Sequence, residues 1–363
     1  MKPMRVLIAG GGTGGHLYPG IAVAREVLRR DPLAVITFAG TARGIETRVV
    51  PSEGFALDLL RSAGLKGKTP GALLRGLLLL PLSAVDSWAI LSRRSPDLVI
   101  GVGGYSAGAV VLLAALRGIP TLLLEQNAVP GVTNRLLARM VTAAAVTFES
   151  TAVYFGRRAF VAGNPVRPEF LAENLSPAVR PAGPPRILIF GGSQGSHAIN
   201  VAMVEAAPKL AAHAGGLAIT HQTGERDLEL VSDGYSRAGV TARVEPFLFA
   251  MAREVSAADL VVCRAGATTL AELTVAGRPA LLVPLPTAAD DHQRRNAEVL
   301  ASAGAAEVME QKRMTGALLA ERILALVADP VRLTAMAVAA RRLARPDAAM
   351  VIADKVFELV KRS

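Results

Sequence analysis

The sequence predicts two parallel α/β domains, and three observations carry that prediction. An apolar strand runs into a glycine-rich turn twice, as Arg5-Val-Leu-Ile-Ala-Gly-Gly-Gly-Thr-Gly-Gly-His16 and as Arg186-Ile-Leu-Ile-Phe-Gly-Gly-Ser-Gln-Gly-Ser-His197. The strands are nearly all apolar, so they are buried on both faces and covered by helices, which is the habit of parallel sheets. The length, 363 residues, exceeds one ordinary core and suits two. Glycines let backbone N–H groups approach an anion, and the helix that follows adds positive potential at its N-terminus. Two such units imply two similar domains facing one ligand-filled cleft.

Element by element, Arg5 to Ala9 reads as a strand and Pro19 to Arg30 as a helix. Strands follow at Ala34 to Ala39, Asp97 to Val102, Thr121 to Leu124 and Ala144 to Phe148. From Asn164 to Pro185 prolines and small residues take over, the mark of an interdomain hinge. The series then restarts with strand Arg186 to Phe190, helix Ala198 to Ala211, and strands Leu217 to Gln222, Val240 to Glu245 and Leu260 to Cys263. Helix Thr268 to Ala276 and strand Pro279 to Pro284 come next. The last helix, Ala348 to Lys361, is amphipathic and is expected to pack back on the first domain. The expected division is 1–163, 164–345 and this returning segment, 346–363.

Apolar residues make up 51% and aromatics 4%, so the cores are built from Ala, Val and Leu, as in packed α/β layers. The single cysteine, Cys263, excludes an intrachain disulfide, fits a reducing compartment and reads as a small buried residue at a strand end. A net charge of +10 calls for an anionic partner. Nucleic acid is disfavoured, because the basic residues do not alternate with aromatics as a stacking surface needs. An anionic membrane surface or a polyanionic substrate fits better. No secretion signal is read ahead of the first strand, so a cytosolic location is expected. In Ala72 to Leu91 the residues Arg75, Pro81 and Asp86 interrupt the apolar run, which argues against a membrane span.

Glycine turns serve several folds. A dinucleotide site expects an acidic residue at the end of the second strand, where Phe38-Ala-Gly-Thr41 has none, and neither loop carries the Gly-Lys-Ser/Thr of a P-loop. A third cluster, Gly101-Val-Gly-Gly-Tyr-Ser-Ala-Gly108, widens the site of the first domain enough for a diphosphate and its attached groups. In the second, Cys263-Arg-Ala-Gly-Ala-Thr-Thr-Leu-Ala-Glu272 is a strand, a small-residue turn and a helix, open to a sugar nucleotide, with Glu272 able to accept from sugar hydroxyls.

Taken in order, Gly11-Gly-Thr-Gly-Gly-His16, Gly103-Gly-Tyr105, Glu125-Gln-Asn127, Gly163-Asn-Pro-Val-Arg167, Gly191-Gly-Ser-Gln-Gly195 and Cys263-Arg-Ala-Gly-Ala267 resemble the MurG family of glycosyltransferase family 28 over nearly the whole chain. The resemblance implies a GT-B fold, two Rossmann-like doubly wound parallel-sheet domains facing a cleft. It implies inverting transfer of GlcNAc from UDP-GlcNAc to the C4 hydroxyl of the MurNAc-pentapeptide of undecaprenyl-diphosphate-linked lipid I, giving lipid II at the cytoplasmic face of the membrane, with cell-wall synthesis machinery as possible partners. Carried over residue by residue, Thr13, Gly14, Gly15 and Asn127 line the cleft, and Arg167 and Ser193 contact the donor. Leu248 sits near the uracil, while Ala267, Thr268, Thr269, Glu272 and Gln293 hold the nucleotide and the sugar hydroxyls, and Glu272 is counted with His16 as catalytic. Three departures stand out: Leu124 replaces a histidine common before Glu-Gln-Asn, Ser106-Ala-Gly-Ala109 replaces the usual ending of the third glycine loop, and the longer Asp290-Asp-His-Gln293 leaves His292 and Gln293 both open as the sugar contact.

Inverting transfer needs a base at the acceptor hydroxyl and neutralisation of the leaving diphosphate. His16 is the preferred base, since its ordinary pKa lies near working pH; His197 is its counterpart on the second loop and ranks below it. No Asp-x-Asp pair or metal-ligand spacing occurs, so no cofactor or obligatory metal is expected. Ser193, Arg167, loop N–H groups and a helix dipole would meet the diphosphate. The Ala72 to Leu91 helix, with Trp88 and with Arg61, Lys66, Lys68, Arg75, Arg93 and Arg94 nearby, would dock on an anionic bilayer. Two other readings compete. One is a different GT-B enzyme, a natural-product glycosyltransferase or a UDP-GlcNAc 2-epimerase, and the other is a nucleotide-sugar-binding regulator without catalysis.

Overall fold

Short, mostly apolar runs of three to six residues form the central strands of two parallel sheets. The computed structural model describes residues 2–62, 70–173, 183–192 and 194–361. Contacts divide the chain into unit 1, Met1–Arg167 with Arg345–Ser363, and unit 2, Pro168–Ala344. The junctions thus fall at 167/168 and 344/345. Gly163 belongs with unit 1 because it lies against Arg345 and Ala348 there.

Unit 1 runs β1 (Arg5–Gly10), α1 (Gly14–Arg30), β2 (Val35–Gly40), α2 (Glu46–Ser52), β3 (Ala56–Leu59), α3 (Pro70–Arg94), β4 (Leu98–Gly103), α4 (Tyr105–Leu116), β5 (Thr121–Glu125), α5 (Val132–Leu137), β6 (Ala143–Val146) and β7 (Ala159–Val161). Its sheet has the order β3-β2-β1-β4-β5-β6-β7, all parallel. Along β1 the side chains alternate between two cores. Val6 and Ile8 pack with Leu17, Val23 and Ile100, whereas Leu7 and Ala9 pack with Val99, Val110 and Val111.

Unit 2 contains α6 (Pro168–Glu173), β8 (Arg186–Phe190), α7 (His197–Ala211), β9 (Ala218–Gln222), α8 (Leu228–Ala238), β10 (Ala242–Glu245), α9 (Met251–Ala257), β11 (Leu260–Cys263), α10 (Ala267–Ala276), β12 (Ala280–Leu282), α11 (His292–Ser302), β13 (Ala306–Val308), α12 (Gly316–Val327) and α13 (Pro330–Leu343). The sheet order is β10-β9-β8-β11-β12-β13, again parallel. Each unit has the doubly wound, Rossmann-like form expected of a GT-B protein. The last helix, α14 (Ala348–Lys361), buries Ile352, Val356 and Leu359 in the core that holds Val6 and Ile8 of unit 1.

Three strands escaped the sequence reading, and all three are at sheet edges: β3, β7 and β13. An edge strand has one covered side, so it lacks the continuous apolar run that marks a central one. Helix α1 also begins at Gly14 instead of Pro19, because Gly14 and Gly15 form its first turn, where backbone N–H groups have no helical partner to lose.

Candidate active site

Strand order reverses at β1/β4 in unit 1 and at β8/β11 in unit 2. Ligands of open parallel sheets bind beyond the carboxyl ends of the strands at such switch points. The four glycine-bearing segments follow these four strands, so the sequence motifs converge on one end of each sheet.

In unit 1 the first loop takes Gly10, Gly11 and Gly12 through φ values of 140°, 147° and 86°, which favour glycine. Thr13 is the extended residue before α1, and its carbonyl accepts from His16 N at 3.3 Å and Leu17 N at 3.2 Å. Thr13 and Gly15 are exposed, while Gly14 and His16 are half-buried. The His16 ring lies over Gly103 of the third glycine cluster: a Cβ there would stand 2.7 Å from Nδ1. The same nitrogen faces Gln126 Oε1 at 3.2 Å. The residue after it, Asn127, is half-buried, and its backbone N–H donates to Glu125 Oε1 at 3.0 Å.

Two buried carboxylates brace these loops, and sequence reasoning assigned neither. Glu46, 1% exposed, accepts from Gly12 N at 2.8 Å, Thr41 N at 2.8 Å and Thr41 Oγ1 at 2.9 Å. A carboxylate therefore does stand at the end of the second strand, supplied by α2 instead of by Phe38 to Thr41. It takes the Gly12 N–H that a bound anion would otherwise use, so the two glycine loops are not equivalent phosphate cradles. Glu125 accepts from Asn127, from Gly131 N at 3.2 Å and from Asn134 Nδ2 at 2.9 Å. Burial raises its pKa against the pull of those donors.

In unit 2, Ser193 lies outside the described residues. The loop around it is pinned at Gly192, whose carbonyl accepts from Gln222 Nε2 at 2.8 Å and Gly195 N at 2.9 Å. Gly195 presses on the Thr223 carbonyl with φ 72°, leaving no room for a side chain. His197, the first residue of α7, places Nδ1 3.0 Å from both carboxylate oxygens of buried Asp227. Burial pushes the Asp227 carboxyl up, but hydrogen bonds from Asn200 and His197 prevail and hold it below its ordinary value. The likeness to His16 stops here, since one ring is held by an amide and the other by a carboxylate. Behind this pair Asn200 Nδ2 donates to Asp227 Oδ2 at 2.9 Å, and its Oδ1 accepts from His221 Nε2 at 3.1 Å. His221 Nδ1 in turn accepts from the Tyr235 hydroxyl at 2.9 Å.

Beyond β11, Gln293 Oε1 accepts from Ala265 N at 3.2 Å and Leu285 N at 3.0 Å, which ties α11 to the turn that launches α10. His292 is half-buried, with Nδ1 2.6 Å from the Ala289 carbonyl. Asp290 and Asp291, just before it, adopt φ values of 53° and 55°, strained for residues with side chains. Arg264, whose pKa burial lowers, donates to Val283 O at 3.0 Å and Gln311 Oε1 at 2.7 Å. Ala267, Thr268 and Thr269 form the first turn of α10, whose N-terminus follows the extended residue Gly266. Glu272, one turn further, is buried at 6% exposure. Leu248 is buried too, at 6%, so what it offers a ligand is its backbone, while Phe247 and Phe249 beside it are 42% and 92% exposed. Arg167 is half-buried at the end of unit 1. Among the described residues no group of three or more His, Cys, Asp and Glu side chains is placed to hold a metal ion.

The family description of the glycosyltransferase family 28 N-terminal domain matches residues 6–146, and that of its C-terminal domain matches residues 186–352. A relative from Anaeromyxobacter sp. (strain K), named UDP-N-acetylglucosamine--N-acetylmuramyl-(pentapeptide) pyrophosphoryl-undecaprenol N-acetylglucosamine transferase, is 51% identical over 360 residues, 99% of this chain and 94% of that protein. Its namesake from Geobacter sulfurreducens is 46% identical over 362 residues, 99% of this chain and all of that one. The crystal structure of Acinetobacter baumannii MurG superposes with a TM-score of 0.80 at 34% identity, covering 98% of this chain and 100% of that one. With both domains matched and relatives this similar along nearly its full length, the chain belongs to glycosyltransferase family 28 and, within it, to the MurG family.

Proposed function

We propose that this chain transfers GlcNAc from UDP-GlcNAc to the C4 hydroxyl of the MurNAc-pentapeptide on undecaprenyl diphosphate, forming lipid II from lipid I with inversion at the sugar carbon. The observation that carries the reading is His16, held at the mouth of the unit 1 switch point by Gln126 and Gly103, in a chain so similar to the transferases just named. In the step itself His16 Nε2 takes the proton of the acceptor hydroxyl and the freed oxygen forms the new bond to the sugar carbon. The bond from that carbon to the diphosphate oxygen breaks, and UDP leaves as the anion. Thr13, Gly14, Gly15 and Asn127 line the substrate-binding end of the unit 1 sheet. Arg167 and Ser193 meet the diphosphate, Leu248 offers its backbone to the uracil, and the first turn of α10 with Glu272 and Gln293 holds ribose and sugar hydroxyls. Gln293 is favoured over His292 because it is already fixed against the β11 turn, with its oxygen occupied and its amide nitrogen left to donate.

The lipid-linked acceptor places the enzyme at the cytoplasmic membrane surface as a peripheral protein. Leu80, Leu82, Val85 and Trp88 on α3 are 49%, 39%, 62% and 54% exposed, which supports that placement. Of the basic residues the sequence gathered around this helix, Arg61 pairs with Asp86, and Arg93 and Arg94 pair with Asp58. Their charge is therefore partly neutralised. Lys66 and Lys68, and the side chain of Arg75, lie outside the described residues. Among the described residues no single helix is long and apolar enough to cross a membrane.

The test is transfer of radiolabelled GlcNAc from UDP-GlcNAc to a lipid I analogue by wild type and His16→Ala. Lipid II from wild type and a loss of roughly 10²–10⁴-fold in a variant of unchanged circular dichroism are expected, the range a general base contributes. Activity in EDTA is expected to equal that in magnesium. Binding of UDP-GlcNAc without transfer to lipid I would overturn the acceptor assignment.

A further inference from the structure

We propose that Gln126 is a positioning residue that fixes the tautomer of His16, so that Nδ1 carries the proton and Nε2 is the basic nitrogen. This inference rests on the proposed role of His16. Gln126 is 2% exposed, and its amide bridges two groups. Nε2 lies 3.1 Å from the Val102 carbonyl, and Oε1 lies 3.2 Å from His16 Nδ1. A carbonyl only accepts, so the Val102 oxygen dictates that the amide nitrogen faces it. The amide oxygen then faces the imidazole, and it too only accepts. His16 Nδ1 must therefore donate, and in the neutral ring the lone pair belongs to Nε2.

The arrangement is built to hold. Val102 lies in β4 and Gln126 one residue past β5, so the bridge is anchored at the carboxyl ends of two adjacent central strands. Gly103 closes the other side of the ring, where a Cβ would come 2.7 Å from Nδ1 and displace it. The tautomer is thus chosen by the sheet, through an amide that never changes charge. By contrast His197 is oriented by the carboxylate of Asp227, a charged partner where His16 has a neutral amide.

The experiment is a long-range nitrogen–proton spectrum of the full chain with nitrogen-15 in its five histidines, His16 being identified by the signal lost in His16→Ala. Wild type is expected to show His16 protonated at Nδ1 when neutral, and Gln126→Met to show a mixture of tautomers. In the transfer assay Gln126→Met lowers kcat by roughly 10²-fold, at the lower end of what a general base contributes, with KM for UDP-GlcNAc unchanged. In the His16→Ala background it lowers kcat less than about twofold, because residues acting as one unit are not additive. A neutral wild-type His16 protonated at Nε2 overturns the proposal, and so does an equal loss in both backgrounds. Should Gln126→Met not fold, the wild-type spectrum alone decides. If His16→Ala is fully active, the base assignment falls, while the spectrum still reports whether Gln126 orients the ring.

Discussion

Glu46 explains several residues at once. Its carboxylate holds the first glycine loop through Gly12 and the end of β2 through Thr41, and a Cβ at Gly11, Gly40 or Gly44 would run into it. Some of the glycines that resemble a phosphate cradle are there to admit a protein carboxylate. Replacing Glu46 with Ala removes the charged acceptor of the Gly12 and Thr41 N–H groups, and a hydrogen bond to a charged group contributes about 1.5–3 kcal/mol. A fall of that order in the unfolding free energy, read as a lower urea midpoint at unchanged m, is expected. Glu46→Gln, which keeps one acceptor oxygen, falls less. An unchanged midpoint in Glu46→Ala would show that water replaces the carboxylate at no cost.

Among the elements, α3 has two characters. Ser83, Ser87, Ile90 and Leu91 are buried, and Leu91 and Ile90 join the core that holds Leu7 and Val110. On its other side Val85 and Trp88 are exposed, and the Arg117 guanidinium lies 4.7 Å from the Trp88 ring centre. A helix that only covered a sheet would not need apolar groups on both sides. Val85→Glu with Trp88→Glu is expected to cut sedimentation with anionic vesicles several-fold while leaving transfer to a detergent-dispersed lipid I analogue near wild type. Equal sedimentation of variant and wild type would remove α3 from the docking surface. The edge strands β3, β7 and β13 teach a related point. Half-exposed and four residues or fewer, they pair because a neighbouring strand presents a free edge, and nothing in their own composition announces them.

For the whole molecule, buried titratable groups set the response to acid. Burial holds His221 down at about 3, against an ordinary value of 6.5. The unfolded chain therefore takes up a proton below pH 6.5 that the native state refuses until about pH 3, and stability falls through that window as the pH drops. Hydrogen bonds from Arg29 and Arg30 hold Glu26 at about 2 against an ordinary 4.5, so its contribution is lost on the same side, between those values. Glu125, raised by burial, acts in the opposite sense: above the ordinary carboxyl range the native state keeps a proton the unfolded chain has lost. Thermal midpoints are expected to decline from pH 6.5 downward, and His221→Asn is expected to flatten the slope between pH 6.5 and 4.5 whatever its effect on absolute stability. A wild-type midpoint constant over that interval would show that His221 accepts its proton in the folded state.

The two parallel sheets, the four glycine-bearing strands that flank their switch points, and His16 and the α10 turn as places for chemistry are all written in local stretches of the chain. Buried strands, turn glycines and helix starts are local patterns, legible within about ten residues. Which side chain holds which emerges only once the chain has folded. Gln126 reaches His16 across 110 residues, Glu46 reaches Gly12 across 34, and Asp227 reaches His197 across 30. Each partner is delivered by an element that follows a different strand of the same sheet. Hydrogen bonds between side chains depend on where two elements end relative to one another, and no periodicity along the chain encodes that distance.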